Sequence, residues 1–452
     1  MESPKAAAGD LARCFQKGVS VRIANKTTPL SIRWLAPLAI LSTMPVLRMG
    51  DVQAVEIAQV ICLGTMAPIF VYRGLNIPLG GLWRRYGIKY VLFLGLCVLV
   101  SGLSLRLSFH PPPDISWLKR PGLLSLSRIF ELLLAAYFMI AIAETLRRRP
   151  ALFRMVADAY AFAATLGACG SIVAWVLFRV AGIPSFPIYG ADSRVRGLFN
   201  EGGPYGIFLV SAVVVVLLRI HVVRPVYGFV HKTAVIILLA ALLLSGSKVG
   251  LLAAMGLCAL ALLSGGRRRM LVLAVVLALI VTVFVTRFQG SLFGYLYAYL
   301  NFDEAYYYRP DDPSLIMGRI AAMLIVPRII SAHPLLGIGV GNYSLMRNDP
   351  DYLQGLPPVD EWDLAGMGLL GSAAEFGIPL TLFLFVLLVQ PLLHTQRRKA
   401  PLILTLAAGF QPIAFLLGVN LNFFYPWLVA ALVLSLEPTG EAAERSERRL
   451  DQ

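Results

Sequence analysis

Long apolar runs, most of them about twenty residues and many followed by a short knot of arginine and lysine, recur along almost the whole of this chain. A helix that crosses a bilayer needs about 20 mostly apolar residues, and its backbone groups must all be satisfied within the segment. Such runs leave one fold class, an all-α polytopic membrane protein. Composition agrees: of 452 residues, 58% are hydrophobic and 14% charged, against roughly 25% charged in a soluble domain. About twelve spans are expected, at roughly 31–49, 54–73, 88–108, 123–146, 151–181, 204–223, 229–246, 249–265, 270–286, 366–390, 400–419 and 422–437. Only SGSK divides 229–246 from 249–265.

The net charge of +15 could suggest nucleic acid, but the positions of the charges argue otherwise. They form clusters between spans: Arg84, Arg85 and Lys89; Arg147 to Arg149; Arg219, Arg224 and Lys232; Arg267 to Arg269; Arg397, Arg398 and Lys399; and Arg445, Arg448 and Arg449. If about twelve spans alternate, every cluster falls on the side of the basic N-terminus, which the positive-inside rule assigns to the cytoplasm. The expected organisation is a cytoplasmic segment 1–30, spans one to nine over 31–286, a large outer loop 287–365, spans ten to twelve over 366–437 and a cytoplasmic tail 438–452. No cleavage pattern follows the basic N-terminus, so the first run reads as a retained span. The cysteines show no CxxC spacing, and neither a metal nor a disulfide is expected.

The outer loop holds most of the polar chemistry. GRIAAMLIVPRIISAHP has helical spacing with a proline partway and predicts a helix on the outer face. Arg319 and Arg328 are nine residues apart, so they point to opposite faces of a straight helix. GIGVGN follows. A nucleotide loop follows a strand, whereas this one follows a helix outside the membrane; it reads as a sharp turn close to a ligand.

Cations on the outer side run against the topology rule: Arg194 and Arg196 in SRVRGLFNEGGPYG, Lys248 in SGSKVG, and Arg287, Arg309 and Arg319. Arginine forks donate paired, charge-assisted hydrogen bonds to phosphate oxygens, so these residues suit a phosphate or pyrophosphate; headgroup contact and local pairing are the alternative. Tyr306, Tyr307 and Trp362 offer faces for a sugar ring, and an interfacial aromatic belt is the common alternative. Three residues are candidates for a general base. Glu375 in GSAAEFGIP is a costly carboxylate within a span. Asp363 lies nearer the surface, as does Glu361. His333 precedes Pro334 and could equally cap its helix. Within the spans, Arg154 and Asp158 stand at i, i+4 and Arg128 and Glu131 at i, i+3, and both read as structural pairs.

RVRGLFNEGGPYG, SGSKVG at the end of a span, GRIAAMLIVPRIISAHPLLGIGVGN and AAEFGIP, in this order, resemble the O-antigen ligase and O-antigen polymerase family of bacterial inner-membrane glycosyltransferases. The resemblance covers about 150–440 and is sharpest at R(x)13HPLLGIGVGN. It implies a fold related to the membrane-embedded C-type glycosyltransferases. It also implies an undecaprenyl-pyrophosphate-linked glycan donor and a glycan or lipid acceptor, meeting on the periplasmic face without a metal or other cofactor. Arg196, Lys248 (where arginine is usual) and Arg319 would then bind the pyrophosphate. Ligases of the family carry a histidine about eleven residues before the glycine of the AAEFG motif. Here that place is Gly366-Met367. The departure shifts the expectation toward a polysaccharide polymerase, with the ligase as the alternative and a lipid-linked oligosaccharide flippase as the rival from another class. The expected location is the bacterial inner membrane, with both termini cytoplasmic, lipids around the spans and no nucleic-acid partner.

Overall fold

The computed structural model describes residues 30, 32–49, 52–72, 81–107, 120–189, 194–223, 228–264, 294, 297–310, 313–316, 319–359, 367–398 and 400–437. Helices dominate. In chain order they begin with α1 (Ile32–Leu41), α2 (Ala54–Tyr72), a π-helical turn (Trp83–Gly87) leading into α3 (Ile88–Leu107), α4 (Pro121–Arg148), α5 (Ala151–Ala181), α6 (Gly202–Val222), α7 (Gly228–Ser245) and α8 (Lys248–Ser264). Five short helices follow in the loop region: α9 (Phe302–Tyr308), α10 (Pro313–Ile316), α11 (Arg319–Ala332), α12 (Tyr343–Met346) and α13 (Pro350–Leu353). The chain closes with α14 (Gly368–Phe376), α15 (Ile378–Arg397), α16 (Leu402–Leu416) and α17 (Phe424–Ser435). Two antiparallel pairs of two-residue strands, β1 (Arg48–Met49) with β2 (Val52–Gln53) and β3 (Ile188–Tyr189) with β4 (Arg194–Val195), close hairpins between helices.

Among the described residues, five helices are long and apolar enough to cross a membrane: Trp83–Arg106, α4, α5, α6 and α15. Burial divides them into two kinds. α4 and α6 are mostly buried, whereas Trp83–Arg106, α5 and α15 leave most of their apolar side chains uncovered. Val180, Phe162, Val91, Leu382 and Val386 are more than half exposed. A soluble protein does not present apolar helix faces on this scale, and lipid is the solvent that suits them. The molecule is an integral membrane protein. Its centre is α17, whose residues are buried throughout, packed on the inner half of α4.

The SGSK break does divide two helices. Gly246 turns with φ +56°, and Ser247 caps α8 by accepting the Gly250 N–H at 2.9 Å. One span expected over 366–390 is instead broken. α14 ends at Gly377 (φ +76°) and α15 starts beyond it. The loop helix forms with Pro327 inside it. The expected span 270–286 lies outside the described residues, as do the segment 1–29, the tail 438–452 and the cations Arg224, Arg267 to Arg269 and Arg287.

The helix ends sort into two faces. At the start of α3, Tyr86 donates to Glu437 beyond α17 at 2.8 Å, and Arg85 pairs with the same carboxylate at 3.3 Å. At the other end of α3, Ser101 and Ser104 hold residues 337–340. The fifteen to eighteen residues from Tyr86 to Ser101 and Ser104, at 1.5 Å each, separate the two by roughly 25 Å. One end of the bundle is therefore basic and the other carries the loops. The basic end also holds Arg219, which is 2% exposed and bonds Asp158 Oδ1 at 2.8 Å and the Val223 carbonyl at 2.6 Å.

Candidate active site at the loop end

The turn GIGVGN is threaded between helices, and its glycines explain how. Gly337, Gly339 and Gly341 all adopt positive φ, at +61°, +87° and +78°, where only glycine sits without strain. A Cβ on Gly337 would stand 2.5 Å from the backbone of Glu375. This close approach lets the turn satisfy carbonyls in the last turn of α14. Ile338 N–H donates to Ala374 O at 2.9 Å, Gly339 N–H to Glu375 O at 3.0 Å, and Ile378 N–H to Pro334 O at 2.8 Å. Serines of α3 and α4 complete the seat. Ser104 donates to Gly337 O, Ser125 donates to Val340 O, and Ser101 accepts from Val340 N–H at 3.1 Å. Asn342, fully buried, ties Ile338 O to Ser125 Oγ.

Beside this turn lies a cavity of about 140 Å³. Its polar lining comes from four places in the chain: Arg128 and Glu131 of α4, Gly341 and Tyr343, Ser372 and Glu375 of α14, and Asn420 and Asn422 ahead of α17. The Glu375 carboxylate accepts the Tyr343 N–H at 3.4 Å, and the Gly341 N–H acts on it electrostatically. The Arg128 guanidinium donates to both oxygens of Glu131, at 2.8 and 3.1 Å, and acts electrostatically on Glu375. Glu56, whose carboxylate takes the Gln53 N–H at 2.8 Å, also lies in the field of Arg128 and Glu131. The site thus joins a carboxyl group, a cation and neutral amides in a recess walled by Val326, Val340 and Phe376. That combination can take a proton from a hydroxyl and hold a polar ring.

Of the base candidates, Glu375 lines this cavity. His333 does not: its Nε2 shares a 2.6 Å hydrogen bond with the Tyr352 hydroxyl, on the side of α11 where Arg328 holds the carbonyls of Tyr352 and Leu353. Burial holds its imidazole below the usual histidine range, against a smaller opposite pull from Asp349. By its backbone His333 does close α11, its N–H donating to Ile329 O at 2.8 Å, while its side chain turns to Tyr352. Asp363, Glu361 and Trp362 lie outside the described residues.

The cations form a second group. Arg196 holds its own hairpin: Nε donates to Phe186 O at 2.8 Å, Nη1 to Asn200 O at 3.2 Å, and the guanidinium lies 4.4 Å over the Phe186 ring. The stem of Arg194 lies against Gly246, two residues before the half-buried Lys248. The motif around Lys248 also makes a helix joint, since Gly206 of α6 and Gly250 of α8 touch so closely that a Cβ on Gly250 would stand 2.7 Å from the Gly206 backbone. Phe199 connects this group to the cavity, meeting Phe423, next to the lining Asn422, at 6.3 Å. Arg319 opens α11, and its side chain lies outside the described residues. Arg309 ends α9 and is exposed. Tyr307 is 79% exposed, and Tyr306 stacks on Phe302.

Sequence reasoning missed what Arg128 and Glu131 face. An i, i+3 pair satisfies itself, so nothing local pointed to a third charge arriving from a distant segment. Asn420 and Asn422, amides at the edge of an apolar run, were the available signal for the opposite wall.

Fold and cavity define a polytopic membrane protein with a polar recess near one face. Residues 233–385, about a third of the chain, match the family model described as O-antigen ligase. The match falls where the ordered motifs led one to expect it, and it joins the apolar helices in describing a membrane protein with a segment similar to that family. No curated protein matches the chain. The matched segment includes SGSKVG, GIGVGN and Glu375; RVRGLFNEGGPYG lies ahead of it.

Proposed function

We propose that the protein is a glycosyltransferase of bacterial surface polysaccharide assembly. It polymerises undecaprenyl-pyrophosphate-linked repeat units at this cavity, on the periplasmic side of the inner membrane. The observation that supports it is the placing of Glu375, a carboxyl group held by the Tyr343 N–H and lining the recess inside the family-matched segment. A hydroxyl of the incoming unit gives its proton to Glu375 as its oxygen bonds the reducing-end carbon of the growing chain. The carbon–oxygen bond to the pyrophosphate breaks, and the pyrophosphate leaves with the electron pair. Arg196, Lys248 and Arg319, with Arg309 and Arg287 further along the loop, would receive that charge. Tyr306, Tyr307 and Trp362 are the proposed glycan contacts.

Met367, of the pair Gly366-Met367 where the ligases' histidine is expected, lines the cavity, which favours the polymerase. The family description favours the second reading, a ligase that moves finished glycan to lipid A-core or another acceptor. Glycan profiles of a deletion strain separate them. Loss of a polymerase leaves single repeat units attached, and loss of a ligase leaves polymer unattached to its acceptor. Glu375→Gln, inserted normally in the membrane, should reproduce the deletion profile. Wild-type glycan in that variant overturns the role of Glu375.

A further inference from the structure

α4 places an arginine and a glutamate in the cavity wall beside Glu375, and the glycine turn shows how tightly. The Gly341 N–H acts electrostatically on Glu375 while its Cα lies under the Arg128 stem. A Cβ there would stand 2.6 Å from Arg128 Cγ. One glycine therefore spaces the cation from the carboxylate. Glu131 clamps the guanidinium from the other side through both its oxygens. A lone helix pair needs none of this, since it would be complete without opening onto a recess shared with a third charge.

We infer that Arg128 is a positioning residue for Glu375, holding that carboxylate ionised and aimed into the cavity, and that Glu131 sets how much of the Arg128 charge Glu375 receives. The charged groups around Glu375 among the described residues support it. α4 supplies Arg128 and Glu131, and α2 supplies Glu56 in the field of both. The turn supplies Tyr343 and two N–H groups. The lining from α11 is Val326, and that from residues 419–422 is neutral. The two α4 residues therefore pull Glu375 in opposite directions: a nearby cation favours the carboxylate, and a nearby carboxylate disfavours it.

This inference rests on Glu375 as the base, and the experiment separates the two. Purified wild-type and variant proteins are given lipid-linked repeat units extracted from a strain lacking this protein, and the transfer rate is followed against pH. Glu375→Gln should be inactive at every pH; activity in it sinks the base, whatever Arg128 does. With that loss established, Arg128→Gln should move the acid limb of the rate profile up by about one pH unit, the low end for a charge lost at close range. Arg128→Lys should restore most of the shift. Glu131→Gln, which keeps a hydrogen-bonding partner for Arg128, should move the limb down. A merely structural pair predicts lower rates with the limb unmoved or moved alike in both variants, and either result overturns the inference. If Arg128→Gln does not fold, the directions in Arg128→Lys and Glu131→Gln still decide it: an unmoved limb in Glu131→Gln refutes the role.

Discussion

At the scale of single residues, glycine and glutamate share one task. The +61° φ of Gly337 and its approach to the Glu375 backbone leave no room for a side chain. Gly337→Ala should cost on the order of 1–3 kcal/mol from backbone strain alone, more where the segments separate. Thermal unfolding in detergent should fall accordingly, while Gly355→Ala, at a positive φ but with open space around it, should fall by less. The glycines and Glu375 were legible as a turn and a costly carboxylate. Their meeting was not, because it depends on hydrogen bonds between segments some forty residues apart. What else Arg128 faces stayed hidden for the converse reason: its pairing with Glu131, read from the sequence and present in the structure, explained it too well.

At the scale of elements, α5, α6 and α7 are joined at the basic end by Arg219, buried between Asp158 and the Val223 carbonyl, with His231 of α7 4.0 Å from the same Asp158. A buried guanidinium deprived of its carboxylate is destabilising by about 3–5 kcal/mol; Asp158 is 39% exposed, so a discount to about 1–3 kcal/mol applies. Asp158→Asn should lower the unfolding temperature, and the double replacement Asp158→Leu with Arg219→Met should recover part of it. Equal losses in the single and double variants would show that the pair does not carry the joint. Apolar periodicity made the helices themselves legible, down to the break at SGSK. The break at Gly377 was hidden because apolar composition continues through it.

At the scale of the molecule, the two ends of α3 lie near opposite faces, one basic and one bearing the loops. With the basic face in the cytoplasm, a cysteine placed at Tyr307 should react with an impermeant maleimide in intact spheroplasts. One placed at Arg149 should react only after permeabilisation. Labelling of Arg149→Cys from outside would invert the topology. The alternation of charge clusters made this polarity legible. Which helices sit in the centre was not legible, since α17 and the exposed α15 have the same kind of apolar sequence and differ only in what packs around them.

The three backbone hydrogen bonds between residues 334–339 and 374–378 also set a ruler on the chain. Residues may be added between Tyr343 and Met367 without changing which N–H meets which carbonyl. One residue added between Pro334 and Gly339 puts every later donor opposite the wrong acceptor. A change of length between Pro334 and Gly339 should therefore not be tolerated, whatever side chain the added residue carries.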